Sequence, residues 1–105
     1  MLDMEMIRKA AHALLDAAPG SRVILFGSYA RGEAVSGSDL DFLVVQPEVR
    51  ARRREMVRLS DTRRRLGIHA DVLVVSENSF NEWADLPGTV LYEAAREGKV
   101  FRASA

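Results

Sequence analysis

The chain contains no cysteine, which removes disulfides and thiolate zinc centres from consideration. It has two histidines, His12 and His69, too far apart in sequence to seed a histidine-centred metal site. No apolar run approaches the ~20 residues that cross a bilayer. The N-terminal stretch carries Asp3 and Glu5 and has no signal-peptide pattern, so a cytoplasmic protein with no membrane contact is expected. Net charge is also missing, because 15 basic and 15 acidic side chains cancel. Bulk nucleic-acid binding is therefore disfavoured and no direct DNA binding is expected, although a local patch is compatible with neutrality. Thirteen of the fifteen bases are arginine, and eight of these fall between Arg50 and Arg65.

What is present is enough for one small core: 105 residues, 48% of them hydrophobic, fit a single domain over residues 1–105 and leave no room for a second lobe. Residues 2–18 read as an amphipathic helix with Ile7, Ala10, Leu14 and Ala17 inward, stopped by Pro19-Gly20. His12 and Asp16, four apart, make a solvated pair on its outer side. Arg22–Phe26 is a short apolar strand, Ser28–Arg31 one helical turn, and Glu33–Ser38 a loop. Asp39–Val45 is a second strand with Leu40, Phe42 and Val44 on one face and Asp39, Asp41, Leu43 and Val45 on the other. Pro47 suits the first turn of a helix running to about Leu66, whose narrow apolar stripe is Val49, Met56, Leu59 and Leu66, with Gly67 at its end. Ile68–Val75 is a third strand, parallel to the second by a strand–helix–strand crossover. Its Asp71, Leu73 and Val75 repeat the order of Asp41, Leu43 and Val45. Ser76 caps a short helix to about Ala84, with Phe80 and Trp83 read as packing residues. Thr89–Glu97 is a last helix with Val90, Leu91 and Ala94 inward, and Val100-Phe101 adds an edge strand. The fold class is α/β (α+β), a small mixed sheet flanked by helices.

The organising stretch is Phe26–Val45. A glycine-serine pair ends the first strand, and ten residues separate Ser28 from Asp39. For Gly27 to approach Asp39 the two strands must run antiparallel. Carboxylates at i and i+2 on a strand point the same way, with Cβ atoms roughly 6.5 Å apart. Asp71 on a parallel neighbour about 4.8 Å across completes an acidic cup. Such a cup is tolerable when cations neutralise it, and all-oxygen ligation selects Mg²⁺ or Mn²⁺. Two ions about 3.5–4 Å apart clamp an in-line phosphoryl displacement. Asp39 and Asp41 are thus candidate ligands of both ions, with Asp71 a ligand of one and a candidate base. Gly27 and Ser28 offer backbone N–H groups and a hydroxyl to phosphate, and Arg31 offers charge near a triphosphate. Taken singly, Asp-x-Asp caps a strand end as readily as it binds metal, and Gly-Ser is most often a turn. Order, spacing and the matching phase of Asp71 favour the joint reading. His69 shares the face of Asp71 and reads as structural. The Arg50–Arg65 run reads as a solvated helix face or as a docking surface for an acidic protein or an RNA.

Gly27-Ser28-Tyr29-Ala30-Arg31-Gly32, then Ser38-Asp39-Leu40-Asp41 and a strand carrying Asp71, resembles the signature of the DNA polymerase β-like nucleotidyltransferase superfamily, in its minimal nucleotidyltransferase branch. The likeness is close over residues 22–75, and no motif position departs from the pattern. The resemblance implies a nucleotidyltransferase fold and two magnesium ions held by Asp39, Asp41 and Asp71. It also implies that Gly27 and Ser28 hold the triphosphate of ATP. It further implies a HEPN-domain RNase toxin as partner, in a type VII-like toxin–antitoxin pair forming a hetero-oligomer, with AMP transferred to a tyrosine of the toxin. Two other functions stay open at this point. One is a non-catalytic antitoxin that blocks its partner by occupancy through the arginine-rich helix. The other is a small-molecule nucleotidyltransferase of the antibiotic-modifying kind, which needs a partner or second copy to complete its pocket.

Overall fold

The carboxylate of Asp3 accepts the amide of Met6 at 2.9 Å and caps the first helix, α1, Met4–Ala17. This computed structural model describes residues 2–103. Along α1, Ile7, Ala10, Ala11, Leu14 and Leu15 are buried, a broader inward face than the spacing of Ile7, Ala10, Leu14 and Ala17 predicts, and His12 and Asp16 are exposed. The chain then forms β1 (Arg22–Phe26), the single turn α2 (Ser28–Arg31) and β2 (Leu40–Gln46). Helix α3 (Arg52–Arg65), β3 (Ala70–Ser76), α4 (Glu77–Trp83), α5 (Val90–Glu97) and β4 (Lys99–Arg102) complete it.

The four strands form one mixed sheet in the order β3-β2-β1-β4. β1 pairs antiparallel with β2 and with β4, and β2 pairs parallel with β3. Side-chain alternation then splits the core in two. Val23, Leu25, Leu40, Phe42, Val44, Val72 and Val74 pack with α1 and with Leu59 of α3. Ile24, Phe26, Leu43, Val45 and Val75 face the other way, beneath Phe80 of α4 and Ala94 of α5. Ser76 and Thr89 cap these last two helices by accepting the amides of Ser79 and Tyr92. β3 is an edge strand, and α3 covers carbonyls on and just before it: Arg52 Nε donates to Val74 O at 2.9 Å and Arg63 Nη1 to Ile68 O, ahead of the strand, at 3.3 Å.

Four expectations are corrected. Pro47 does not open the long helix, which starts five residues later at Arg52. Pro47 instead lies against Gly20, within 3.6 Å of where a Cβ there would stand, and Val49 packs on the core while the chain turns the corner. The third strand begins at Ala70 rather than Ile68, after Gly67 has ended α3 in the left-handed region (φ 68°). Trp83 is 46% exposed and not a packing residue like Phe80, because the inward face of α4 passes through Phe80 and Ala84, four apart, and leaves Trp83 beside it. Val90 is 42% exposed, since α5 touches the sheet through the face that carries Leu91 and Ala94.

Candidate active site

The end of β1 and the start of β2 lie side by side because the strands form an antiparallel pair, with Phe26 opposite Asp41. Gly27 follows with φ 77° and ψ −157°, a conformation that residues with a Cβ avoid. A Cβ there would also run into the Asp41 carboxylate, so glycine is required for the backbone to pass this close. Its carbonyl accepts the amides of Ala30 and Arg31, each at 3.1 Å, which turns the chain into α2 with Ser28 at its head. The Ser28 and Tyr29 amides have no intrahelical carbonyl to bind, as at any helix start. Tyr29 turns towards the core, and its hydroxyl accepts the amide of Leu2 at 3.1 Å.

Asp71 is the direct register partner of Asp41 across the parallel β2–β3 pair. The two carboxylates therefore project from one face of adjacent strands and line one cavity of about 420 Å³. Asp41 is half-buried, with Phe26 beside it across the sheet. Its carboxyl is held above the usual range, first by loss of water and then by Asp71, Glu93 and Asp39, with Arg31 opposing. Negative charge is thus crowded here and only partly offset.

Asp39 stands apart from this pair. Strand pairing begins at Leu40, whose amide donates to His69 O at 3.2 Å, so Asp39 belongs to the preceding loop and does not follow strand alternation. It is exposed and lines a separate hollow with Tyr29 and His69, close enough to Asp41 to raise its pKa. His69 is exposed at the loop before β3. Arg31 is engaged by acids, donating to Glu33 at 2.7 Å and to Glu93 of α5 at 2.5 Å, with Glu97 at 3.7 Å. Glu33 first, and then Glu93, hold its guanidinium above its usual value.

Glu93 carried no signal in the sequence, since it is 62 residues from Arg31 and sits on a helix read only for its apolar face. Met56, Ser60 and Arg63 of α3 share the cavity of Asp41 and Asp71, and Arg63 Nε is buried without a hydrogen-bond partner among the described residues. These side chains reach the cavity because α3 packs along the β3 edge, a long-range relation with no local pattern.

The donor set suits a hard divalent cation in chemistry: carboxylate oxygens only, with a raised Asp41 pKa that a cation would relieve. As the side chains stand, no three acidic or histidine groups among the described residues converge on a single ligating point. Asp41 and Asp71 form a pair in direct register, and Asp39 stands in the loop beside them.

Against known proteins, a family model described as a nucleotidyltransferase domain matches residues 7–100. The chain belongs to that family. Among solved structures, it resembles a protein described as a minimal nucleotidyltransferase, with 33% identity and a TM-score of 0.58 over 93% of this chain and 95% of the other. A protein described as a nucleotidyltransferase from Sulfolobus solfataricus superposes with a TM-score of 0.63 at 19% identity, over 92% of this chain and 77% of that one. A structure of a toxin–antitoxin with AMP-PNP gives a TM-score of 0.55 at 22% identity, over 98% and 76%. At those lower identities the likeness is one of fold. No curated protein sequence matches the chain. Among the described residues no helix is long and apolar enough to cross a membrane.

Proposed function

We propose that this nucleotidyltransferase transfers AMP from ATP to a hydroxyl of a partner protein, a tyrosine of a HEPN-type RNase toxin, and so acts as the toxin's antitoxin. The observation that carries the transferase reading is the in-register pair Asp41–Asp71, with Gly27 pressed against the first of them. The partner reading is supported by the fold shared with a toxin–antitoxin structure that was solved with AMP-PNP.

In this reading the backbone at Gly27 and Ser28 holds the triphosphate tail beside Asp41. The acceptor oxygen attacks the α-phosphorus, its proton passes to the Asp71 carboxylate, and the bond to the β-phosphate bridging oxygen breaks to release pyrophosphate. Asp39, Asp41 and Asp71 are the residues that would hold Mg²⁺, which supplies charge neutralisation at the transferring phosphate. Arg31 first has to exchange part of its hold on Glu93 for phosphate oxygens. The raised Asp41 pKa, set first by burial and then by the neighbouring acids, is a common feature of groups placed for function.

The test is transfer of label from ATP radiolabelled at the α-phosphate to a HEPN-type RNase supplied as acceptor. Wild type is expected to label it, and Asp39→Asn/Asp41→Asn to fail. Equal labelling by the two proteins would sink the mechanism. Neutralisation of the toxin without ATP, and indifferent to those substitutions, would establish the occupancy reading instead.

A further inference from the structure

Between Arg50 and Arg65 eight arginines face only Glu55 and Asp61, a surplus of six positive charges in a chain whose total is zero. Some of these are committed. Arg52 and Arg63 bind carbonyls of the β3 edge, Arg58 binds Glu55 and the Ala17 carbonyl, and Arg64 reaches Asp61 at 3.1 Å. Arg53, Val57, Ser60 and Arg64 succeed one another at helical spacing and form one row along α3. Val57 is 59% exposed in the middle of that row, and the Arg64 side chain is 68% exposed despite its ion pair. The row walls a trough of about 620 Å³ that also includes Met56 and Arg63. Met56, Ser60 and Arg63 are in turn walls of the cavity that holds Asp41 and Asp71. The basic trough and the acidic cavity therefore lie side by side with a common wall.

We propose that the Arg53–Arg64 row of α3 is the docking surface for an acidic protein segment, which it leads, acceptor hydroxyl first, into the Asp41–Asp71 cavity. This rests on the reading of the chain as a transferase with a protein acceptor, and adds the surface and the charge of the segment recognised. Charge complementarity selects an acidic partner. The apolar members Val57 and Met56 select a protein over an RNA, because a phosphate backbone gains nothing from burying them. Outside residues 50–65 the chain carries the compensating negative surplus, which repels a polyanion longer than the trough.

The probe is a fluorescein-labelled random copolymer of Glu and Tyr, followed by anisotropy without nucleotide. Wild type is compared with Arg53→Glu/Arg64→Glu and with Arg8→Glu/Lys9→Glu, an equal change of charge on the exposed side of α1. Affinity is expected to fall at least about tenfold in the first variant, to change by no more than about twofold in the second, and to weaken as salt is added. Equal losses in both variants, or retained affinity in the first, would overturn the proposal. So would tighter binding of an oligouridylate RNA of matched charge. If thermal melts show the glutamate pair unfolded, Arg53→Gln/Arg64→Gln takes its place, with a loss of about threefold or more expected. Transfer of label to the copolymer is scored separately. Row-dependent binding with no transfer to any acceptor keeps the surface and removes the transferase reading, whereas transfer indifferent to the row removes the surface.

Discussion

Asp41 and Phe42 are neighbours in the chain and opposites in the fold. Phe42 is fully buried beneath α1 and α3 with Leu40 and Val44 for company. Asp41 opens the other face, where Leu43 and Val45 follow it into a thinner core covered by two short helices. One side of the sheet is packed along its whole length. The other is packed at one end and left open and charged at the end where Gly27 approaches. Strand alternation alone creates this division, so stability and chemistry are assigned to different sides of the same seven-residue strand.

The sharpest way to break the comparison is to exchange one residue on each side. Asp41→Asn is expected to lower nucleotidyl transfer on the order of 10³-fold, the several kcal/mol that charge stabilisation at phosphorus supplies. The same change is expected to raise the melting temperature at neutral pH by a few degrees. The sign follows from linkage. The folded carboxyl has a raised pKa, so the unfolded state ionises more readily and folding is penalised as pH rises through the window above the ordinary Asp value. Melts of both proteins should therefore converge when the pH is brought below that ordinary value, and a gap that persists there would count against the charge explanation.

Phe42→Ala is expected to do the opposite, costing about 3–5 kcal/mol by leaving a void between α1 and the sheet. Urea unfolding measures it, and a loss below about 1 kcal/mol would mean that this face is not the stabilising one. A smaller effect sharpens the contrast at the rim. Glu55 is held down to about 2, first by Arg58 and then by the Gln46 amide. A lowered acid pKa stabilises the fold above the ordinary Glu value, and this is lost as pH falls from that value towards about 2. Glu55→Gln should accordingly melt below wild type at pH 6 by roughly 1–3 °C, and the difference should shrink through that acid window.

Much of this was legible from local pattern. The bounds of the first strand and the single turn after Gly27 follow from an apolar run meeting glycine. The pairing of Asp41 with Asp71 follows from two strands that carry their acids in the same phase. Long-range relations were not legible. Nothing near Pro47 announces that it lies by Gly20 or that the helix waits until Arg52. Nothing near Glu93 announces that it takes Arg31, and nothing near Arg63 that it lines the cavity of Asp41 and Asp71. Asp39 fell on the wrong side of a boundary: one residue separates a strand position, whose direction alternation dictates, from a loop position, where it does not.

The alternation of β2 also links folding to chemistry in a way no single side chain reveals. Were the strand to settle one residue out of step with β1, Asp41 would be driven in among Leu14 and Leu59 while Phe42 lay in water. A misaligned chain would thus be inert and unfit to persist in the same stroke, and correct assembly needs no separate safeguard beyond the two acids' intolerance of oil.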